Sequence, residues 1–174
     1  MKNRVLEFEL KEEILNFIDS RKSLQLSSIT QDGRPLASYA PFAIGDECLY
    51  VLLSEIAIHA VNLQSNPLAS VLIIEDEDSA GELFARLRVN YSVDAEHIEW
   101  EDDRWQQGID TLATRHGDRM SSLSELKDFK LFKLSPTGGR YVKGFGRAYA
   151  LSGGSLVGGQ IEHLRDGHKK RELA

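Results

Sequence analysis

Cysteine, positive charge and long apolar runs are all scarce in this sequence, and each shortage excludes a class of protein. Cys48 is the only cysteine, so no intramolecular disulfide and no Cys-x-x-Cys zinc or redox site can form. Lysine and arginine number 21 against 27 aspartates and glutamates, and the formal net charge of −6 argues against general nucleic-acid binding. No stretch approaches the roughly 18 apolar residues of a membrane span, and the charged start carries no signal-peptide core. We therefore expect a cytoplasmic protein with no nucleic-acid partner and no membrane insertion.

The residues that are present are typical of one globular domain. With 174 residues, of which 41% are hydrophobic and 28% charged, the chain can bury a core without disulfides. Cys48 lies in an apolar run and is expected to be a buried strand thiol. The composition changes after Leu151, where four closely spaced glycines precede a polar, basic end. We therefore predict a domain at 1–151 and a Gly-rich link with a C-terminal tail at 152–174.

Residue periodicity predicts short strands joined by tight turns, with helices between them. Helical spacing marks residues 7–19, 54–66 with Ser54 as the N-cap, and 100–120. Alternating or continuously apolar runs mark strands, and turn residues separate them at Asp32-Gly33 and at Thr137-Gly138-Gly139. The predicted strands cover 24–29, 35–42, 49–53, 70–74, 86–96, 129–134 and 141–151. This pattern indicates a β-rich α+β fold, an antiparallel barrel with peripheral helices.

Common nucleotide-binding and metal-binding motifs do not occur in the sequence. Gly144-Phe145-Gly146 lacks the third glycine of a dinucleotide-binding loop. The acidic run Asp76-Glu77-Asp78 starts like a calcium loop, but Ala80 stands where an oxygen ligand is needed. His163 and His168 lie five residues apart, whereas metal-binding pairs on a helix are spaced by three or four.

Several segments nevertheless resemble one known group of proteins. The hairpin over 21–42 and the helix over 54–67 resemble the opening of the FMN-binding split-barrel superfamily, which includes pyridoxamine phosphate oxidase-like proteins. The segments YVKGFGRAY at 141–149 and DGHKK at 166–170 resemble the HugZ/HutZ haem-utilisation family within that superfamily. This second resemblance also includes 74–77, 83–88 and 126–129, and it extends over most of the chain.

The resemblance implies a fold, an activity and a set of site residues. It implies an antiparallel split β-barrel homodimer with its site at the interface, which binds haem and degrades it oxidatively to release iron. His168 matches the C-terminal histidine that ligates the haem iron. Asp128 matches the carboxylate that hydrogen-bonds this imidazole across the dimer interface, and Arg88, with Arg86 as a weaker match, corresponds to an arginine near the haem.

These implied roles agree with the chemistry of the residue types. Haem iron takes a neutral imidazole as a ligand, and a carboxylate on the other ring nitrogen fixes the tautomer and increases electron donation to iron. The two haem propionates need cationic partners. Lys169, Lys170 and Arg171 beside His168, or Arg88, could supply them.

Two other functions stay open from the sequence alone. Flavin-binding members of the superfamily usually carry Lys or Arg on the helix after the third strand, where these residues hold the FMN phosphate. The stretch 56–62 has neither, which favours haem over FMN, although Arg21 or Arg88 could substitute. A non-catalytic haem carrier or storage protein would use the same site as the enzyme. The sequence identifies neither a haem donor nor an electron donor.

Four other residues also have plain structural interpretations. His59 has apolar neighbours and is expected to be a half-buried histidine rather than a ligand. Lys143 is as consistent with packing or ion pairing as with catalysis. Gly144 and Gly146, placed in the last predicted strand, indicate the close approach of another backbone or of a ligand.

Overall fold

A computed structural model describes residues 2–165 and 171, with side chains from residue 5 onward. It contains four α-helices and nine β-strands within these residues. The helices are α1 (Lys2–Ser20), α2 (Ile58–Ser65), α3 (Arg104–His116) and α4 (Arg119–Ser124). The strands are β1 (Ser23–Ile29), β2 (Pro35–Pro41), β3 (Ala43–Ile44), β4 (Leu49–Ser54), β5 (Leu68–Ile74), β6 (Arg88–Ile98), β7 (Phe129–Val142), β8 (Ala148–Ser152) and β9 (Gln160–Leu164).

All nine strands form one antiparallel sheet, curled into a half-barrel. Its order is β2-β1-β5-β6-β7-β4-β3, and β8 and β9 continue the sheet from the second half of β7. The 14-residue β7 pairs with β4 through its first half and with β8 through its second half, while β6 runs along its other edge. The predicted split-barrel fold with peripheral helices is confirmed.

Alternating strand residues bury one face of the sheet, which forms the main core. Along β6 the odd-numbered positions from Val89 to Ala95 are buried, and the even-numbered ones from Asn90 to Glu96 are exposed. Tyr91 and Tyr141 are fully buried, and α1 covers them with Ile14 and Ile18. Burying such side chains stabilises the fold by about 1.5–3 kcal/mol each.

A second, smaller core lies under α3, where Trp105, Ile109 and Leu112 pack on Leu131 of β7. Cys48 belongs to this core and is 1% exposed, so its expected burial is confirmed, but it lies in a bend directly before β4 and not in a strand. No helix among the residues described is long and apolar enough to cross a membrane.

The predicted turn at Thr137-Gly138-Gly139 is wrong, since β7 continues through it as a strand. Of these two glycines, Gly139 is needed for close packing rather than for a turn. A Cβ atom on Gly139 would lie 2.5 Å from the carbonyl oxygen of Asn90 on β6. The chain instead turns between β7 and β8, where Lys143 and Arg147 pair through their backbones. Gly144 and Gly146 therefore lie in this turn and not in a strand.

Two predicted helix boundaries also differ from the structure. Ser54 is not the N-cap of α2, which begins four residues later with Ala57 as its N-cap. The helix predicted over 100–120 begins at Arg104 and ends at His116, because Gly117 has a positive φ of +84° that does not continue the helix. The helix α4 follows as a separate element.

The Gly-rich segment after Leu151 is the loop of the β8–β9 hairpin. Leu156, in the middle of this loop, is 2% exposed, and the Tyr91 hydroxyl donates a hydrogen bond to its carbonyl oxygen. The backbone N–H of Leu156 also donates to the Glu47 carboxylate, at 2.9 Å. The sheet thus continues to Leu164, beyond the expected boundary at 151/152. The division of the chain into a barrel domain and a tail stays a prediction.

Candidate functional site

Two adjoining grooves lie on the outer face of the sheet, the face directed away from the main core. One groove, of about 570 Å³, lies over the ends of β6, β7 and β8, and we call it the arginine groove. The other, of about 660 Å³, lies over β1, β2 and β5. Arg88 and Asn90 line both grooves, so together they form one continuous concave surface. A concave surface with a few polar groups is the expected form of a ligand site.

Arg88 is positioned by the first residue pairs of β6. It lies opposite Ile74 of β5 and Val142 of β7. Its Nη1 donates to the carbonyl oxygen of Arg86, at 2.9 Å. Within the described part of the chain, no carboxylate lies within 4.0 Å of the Arg88 guanidinium, which leaves this cation available to a ligand.

Arg86 differs from Arg88, although the sequence placed both on one strand. Arg86 precedes β6, and its Nε donates to the carbonyl oxygen of Glu75, at 3.1 Å. Its Nη1 also lies 3.8 Å from the Glu77 carboxylate. Because these contacts occupy the guanidinium, Arg86 ties the β5–β6 connection together.

Arg140, which no sequence motif indicated, lines the arginine groove together with Arg88. Arg140 is exposed and lies opposite Asn90 in the β6–β7 register. Two aromatic side chains also line this groove, Phe84 (88% exposed) and Phe145 (66% exposed). Arg140 was overlooked because it comes directly after the glycines that were predicted to form a turn. Extending β7 through those glycines would have placed it beside Arg88.

Asp128 lies at the other end of β7, next to its first residue. Its Oδ2 accepts a 2.6 Å hydrogen bond from the hydroxyl of Ser54, and its carbonyl oxygen accepts one from the backbone N–H of Glu55, at 2.7 Å. Ser54 Oγ in turn accepts from the backbone N–H of Ile56, at 3.1 Å. Ser54 therefore orients the Asp128 carboxylate instead of capping α2.

The structure does not bring Asp128 and Arg88 together within one chain. Asp128 precedes Phe129, the first residue of β7, whereas Arg88 pairs with Val142, the last. A strand of 14 residues is about 40 Å long when measured along its path. Asp128 and the arginine groove thus mark opposite ends of one strand.

Helix α2, which follows β4, offers no cation to a phosphate group. The helix contains no lysine or arginine. Its exposed residues Ile58 and Val61, and Ile56 just before it, are apolar. Arg21, a possible substitute, is bound to Asp76, with Nη1 3.0 Å from Oδ2. A phosphate dianion at α2 would therefore lack the charge-assisted hydrogen bonds that usually hold it.

His59 on α2 is a half-buried histidine, as its neighbours in the sequence indicate. Its Nδ1 lies 2.9 Å from Ser38 Oγ on β2. Burial lowers the pKa of His59 below the ordinary value of 6.5, so the ring is neutral at pH 7. The contact joins α2 to the edge of the sheet.

Lys143 pairs with Glu13 of α1, with Nζ 2.5 Å from Oε2. The hydroxyl of the buried Tyr141 donates to the other oxygen of Glu13, at 2.6 Å. Burial raises the pKa of Glu13, but the hydrogen bonds from Lys143 and Tyr141 outweigh it, so the pKa lies below its ordinary value of 4.5. These contacts hold α1 on the sheet, which agrees with the ion-pairing interpretation of Lys143.

The remaining candidate residues belong to the C-terminal tail. His168, Lys169 and Lys170 lie outside the described residues, whereas Arg171 is described and exposed. Among the residues that are described, no three His, Cys, Asp or Glu side chains are grouped so as to hold a metal ion. A single histidine ligand, as haem requires, stays the prediction for iron binding.

Comparisons with known proteins give close relatives. The sequence profile of pyridoxamine 5′-phosphate oxidase matches residues 10–143. Heme oxygenase HutZ of Vibrio cholerae serotype O1 is 44% identical over 170 residues, which cover 98% of this chain and 96% of the relative.

Two solved structures show the same similarity in three dimensions. The crystal structure of HutZ from Vibrio cholerae, described as a heme storage protein, has a TM-score of 0.70 at 44% identity and covers 73% of this chain and 89% of that chain. Campylobacter jejuni ChuZ has a TM-score of 0.82 at 30% identity, over 95% of this chain and 66% of that chain.

Proposed function

The chain belongs to the pyridoxamine 5′-phosphate oxidase family, and we propose that this member binds haem and degrades it oxidatively to release iron. One observation carries the proposal: the 44% identity to heme oxygenase HutZ over 98% of the chain. The cytoplasmic location and the lack of a nucleic-acid partner stay predictions from composition.

The residues of the structure fit haem better than FMN. Helix α2 has no cation for a flavin phosphate, and Arg21 is already bound to Asp76. The arginine groove offers two cations without carboxylate partners and two exposed aromatic rings within the described residues. Haem has a flat aromatic macrocycle and two carboxylates, so both features match it.

The protein residues have separate roles in this proposal. Haem supplies the iron that binds dioxygen, and electrons come from an external donor. His168 ligates the iron through a neutral imidazole. The carboxylate of Asp128, oriented by Ser54, accepts a hydrogen bond from the other ring nitrogen and so fixes the tautomer. Arg88 binds a propionate, and Lys169 and Lys170 add positive charge beside His168.

A homodimer resolves the separation of Asp128 from Arg88. The two lie at opposite ends of β7, so one chain cannot place both at the same ligand. A second copy, packed against the outer face, can bring its own Asp128 to the arginine groove of the first. This contact would cover three exposed apolar residues, which are Tyr39 on β2, Ile56 just before α2, and Ile58 at the start of α2.

The length of the tail agrees with this arrangement. Leu164 lines the arginine groove, and His168 comes four residues later. Four residues span at most about 14 Å of extended chain. The iron ligand and Arg88 can therefore act on the same haem.

A titration of the purified protein with haemin, monitored by absorption spectroscopy, tests the proposal. We expect a saturable shift of the Soret band at one haem per chain, with the shift lost in His168→Ala. His163→Ala is the matched control, because His163 lies in the same end of the chain but stacks on Tyr149, with ring centroids 4.9 Å apart. A yellow protein with flavin absorption and no haem shift would overturn the proposal in favour of FMN chemistry.

Storage without turnover is the second candidate, because HutZ is also described as a heme storage protein. The two functions share one site, and they differ only in the fate of the bound haem. Adding a reductant and dioxygen to the haem complex separates them. Loss of the Soret band with release of iron indicates the enzyme, whereas an unchanged spectrum indicates storage.

A further inference from the structure

We infer that Arg140 and Arg88 together form a clamp for the two carboxylates of a planar aromatic ligand. On the proposed function, on which this inference rests, these carboxylates are the propionates of haem. Neither the sequence pattern nor the resemblance assigned Arg140 to the site. The exposed rings of Phe84 and Phe145 form the apolar part of the same groove.

The β6–β7 register places the two arginines side by side. Arg88 lies opposite Val142 and Asn90 lies opposite Arg140, so the arginines are diagonal neighbours on adjacent strands. Diagonal pairs in an antiparallel sheet are about 7–8 Å apart at their backbones, within reach of long side chains. Both side chains line the arginine groove, and Asn90 lines it with them.

The charges of this pair are not balanced by the described chain. Neither Arg88 nor Arg140 has a carboxylate within 4.0 Å, as far as residues 5–165 are concerned. Several other arginines do have such partners, among them Arg21 with Asp76, Arg86 with Glu77, and Arg104 with Glu96 and Asp102. Two neighbouring like charges repel each other, so a bound dianion would stabilise this end of the sheet.

The aromatic rings restrict the kind of anion that fits. Phe84 is 88% exposed and Phe145 is 66% exposed, and both line the groove that holds the two arginines. Exposed large apolar side chains next to polar groups are typical of a binding surface. A flat aromatic molecule with carboxylates on one edge can contact the rings and the arginines at once, whereas a small inorganic anion would use only the arginines.

The test compares haemin with haem dimethyl ester, in which both propionates are neutral. We expect Arg140→Leu to weaken haemin binding about tenfold, the loss of one charge-assisted hydrogen bond at a partly exposed site. The same variant should change the affinity for the dimethyl ester less than about twofold, since the interaction is already absent. Arg140→Lys should retain part of the affinity for haemin. The matched control is Arg119→Leu, which removes an exposed arginine of α4 outside the groove and should bind like wild type.

The outcomes separate this inference from the proposed function. If the wild-type protein binds no haem, the proposed function fails. If wild type binds haem but Arg140→Leu binds it equally well, only the clamp fails. Equal losses for haemin and for the ester also overturn the clamp, because the effect of Arg140 would then not pass through a carboxylate. Thermal unfolding of each variant tests whether a loss of haem affinity comes from misfolding.

Discussion

The two ends of β7 differ in whether their charged side chains have partners within the described chain. At the Phe129 end, Asp128 is hydrogen-bonded to Ser54, and Lys130 lies 3.8 Å from the Glu55 carboxylate. At the Val142 end, the outer face carries Arg88 and Arg140, which have no carboxylate partner among the described residues. At one end of β7 the charged side chains therefore have partners within the chain. At the other end the two arginines of the groove have no carboxylate partner among the described residues.

The difference shows which groups hold the fold and which are available to a ligand. On the inner side of the Val142 end, Tyr141 and Lys143 both bind Glu13, so the fold is fixed there as well. At this end, the inner face has its charged side chains paired, whereas the two arginines on the outer face have no carboxylate partner in the described chain. What indicates a binding site here is that two cations without carboxylate partners share one groove with exposed aromatic rings.

The largest effect is expected from a substitution that disrupts β7 between its two ends. In Gly139→Val the new Cβ would lie 2.5 Å from the Asn90 carbonyl oxygen and 2.7 Å from the Tyr91 ring. We expect a loss of about 3 kcal/mol in the free energy of unfolding, since the β6 backbone cannot move away without loss of pairing. Urea denaturation monitored by tryptophan fluorescence measures it.

Gly138→Ala is the control, because its Cβ would lie 3.5 Å from the Leu151 carbonyl oxygen, an ordinary contact. Its free energy of unfolding should stay within about 0.5 kcal/mol of wild type. A Gly139→Val protein with a wild-type urea midpoint would contradict the close packing of β6 and β7.

A smaller effect is expected when the Phe129 end loses its carboxylate. Asp128→Ala should still bind haem but degrade it about 10–100-fold more slowly, because on the proposed function the iron-ligating imidazole loses its orienting partner. Single-turnover absorption measurements with a reductant and dioxygen report the rate. Asp110→Ala, which removes an exposed carboxylate of α3, is the control.

Wild-type turnover in Asp128→Ala would rule out a role for this carboxylate. Ser54→Ala sharpens the test, because it keeps the carboxylate but removes the hydroxyl that orients it. Its rate should lie between those of wild type and Asp128→Ala.

The smallest effect concerns the inner side of the Val142 end and depends on pH. The folded state lowers the pKa of Glu13 below 4.5. Its ion pair therefore stabilises the protein at pH 7, and this contribution is lost as the pH falls below 4.5 through the folded value. Glu13→Gln should cost less than about 1 kcal/mol at pH 7, because the pair is partly exposed.

Urea midpoints of wild type and Glu13→Gln, measured at pH 7 and at decreasing pH, check this prediction. The two curves should converge in acid. Glu9→Gln, on the same helix, should behave like wild type throughout. A difference between Glu13→Gln and wild type that is independent of pH would show that the carboxylate charge does not matter.

Strand positions could be predicted from the sequence because burial agrees with their alternation. β1 and β6 alternate between buried and more exposed residues, and the continuously apolar β5 lies in the interior of the sheet. The wrong predictions of the turn and of the N-cap arose because glycine and serine each occur in more than one structural role. Gly138 and Gly139 are turn formers, but here both lie within β7, and Gly139 allows the β6 and β7 backbones to approach each other. Ser54 has the side chain of an N-cap, yet its hydroxyl donates to Asp128, 74 residues away in the sequence.

The candidate site was predictable in part. Arg88 is indicated by the resemblance and lies on the outer face, but Arg140 depends on strand register, which a single sequence does not reveal. Arg86 shows the opposite case, since its alternation with Arg88 suggested a shared face, whereas its guanidinium is bound to Glu75 and Glu77. The contacts that the folded chain makes around each guanidinium decide which of these cations stays available.

The buried position of Cys48 has a consequence for the chemical durability of the protein. On the proposed function the protein handles iron, dioxygen and a reductant, and it is therefore exposed to peroxide, which attacks thiolates that solvent can reach. The only thiol of this chain is 1% exposed, and burial raises its pKa above the ordinary value, so little thiolate forms at neutral pH. The fold thus protects its one cysteine from sulfenic acid formation and from disulfide exchange during turnover.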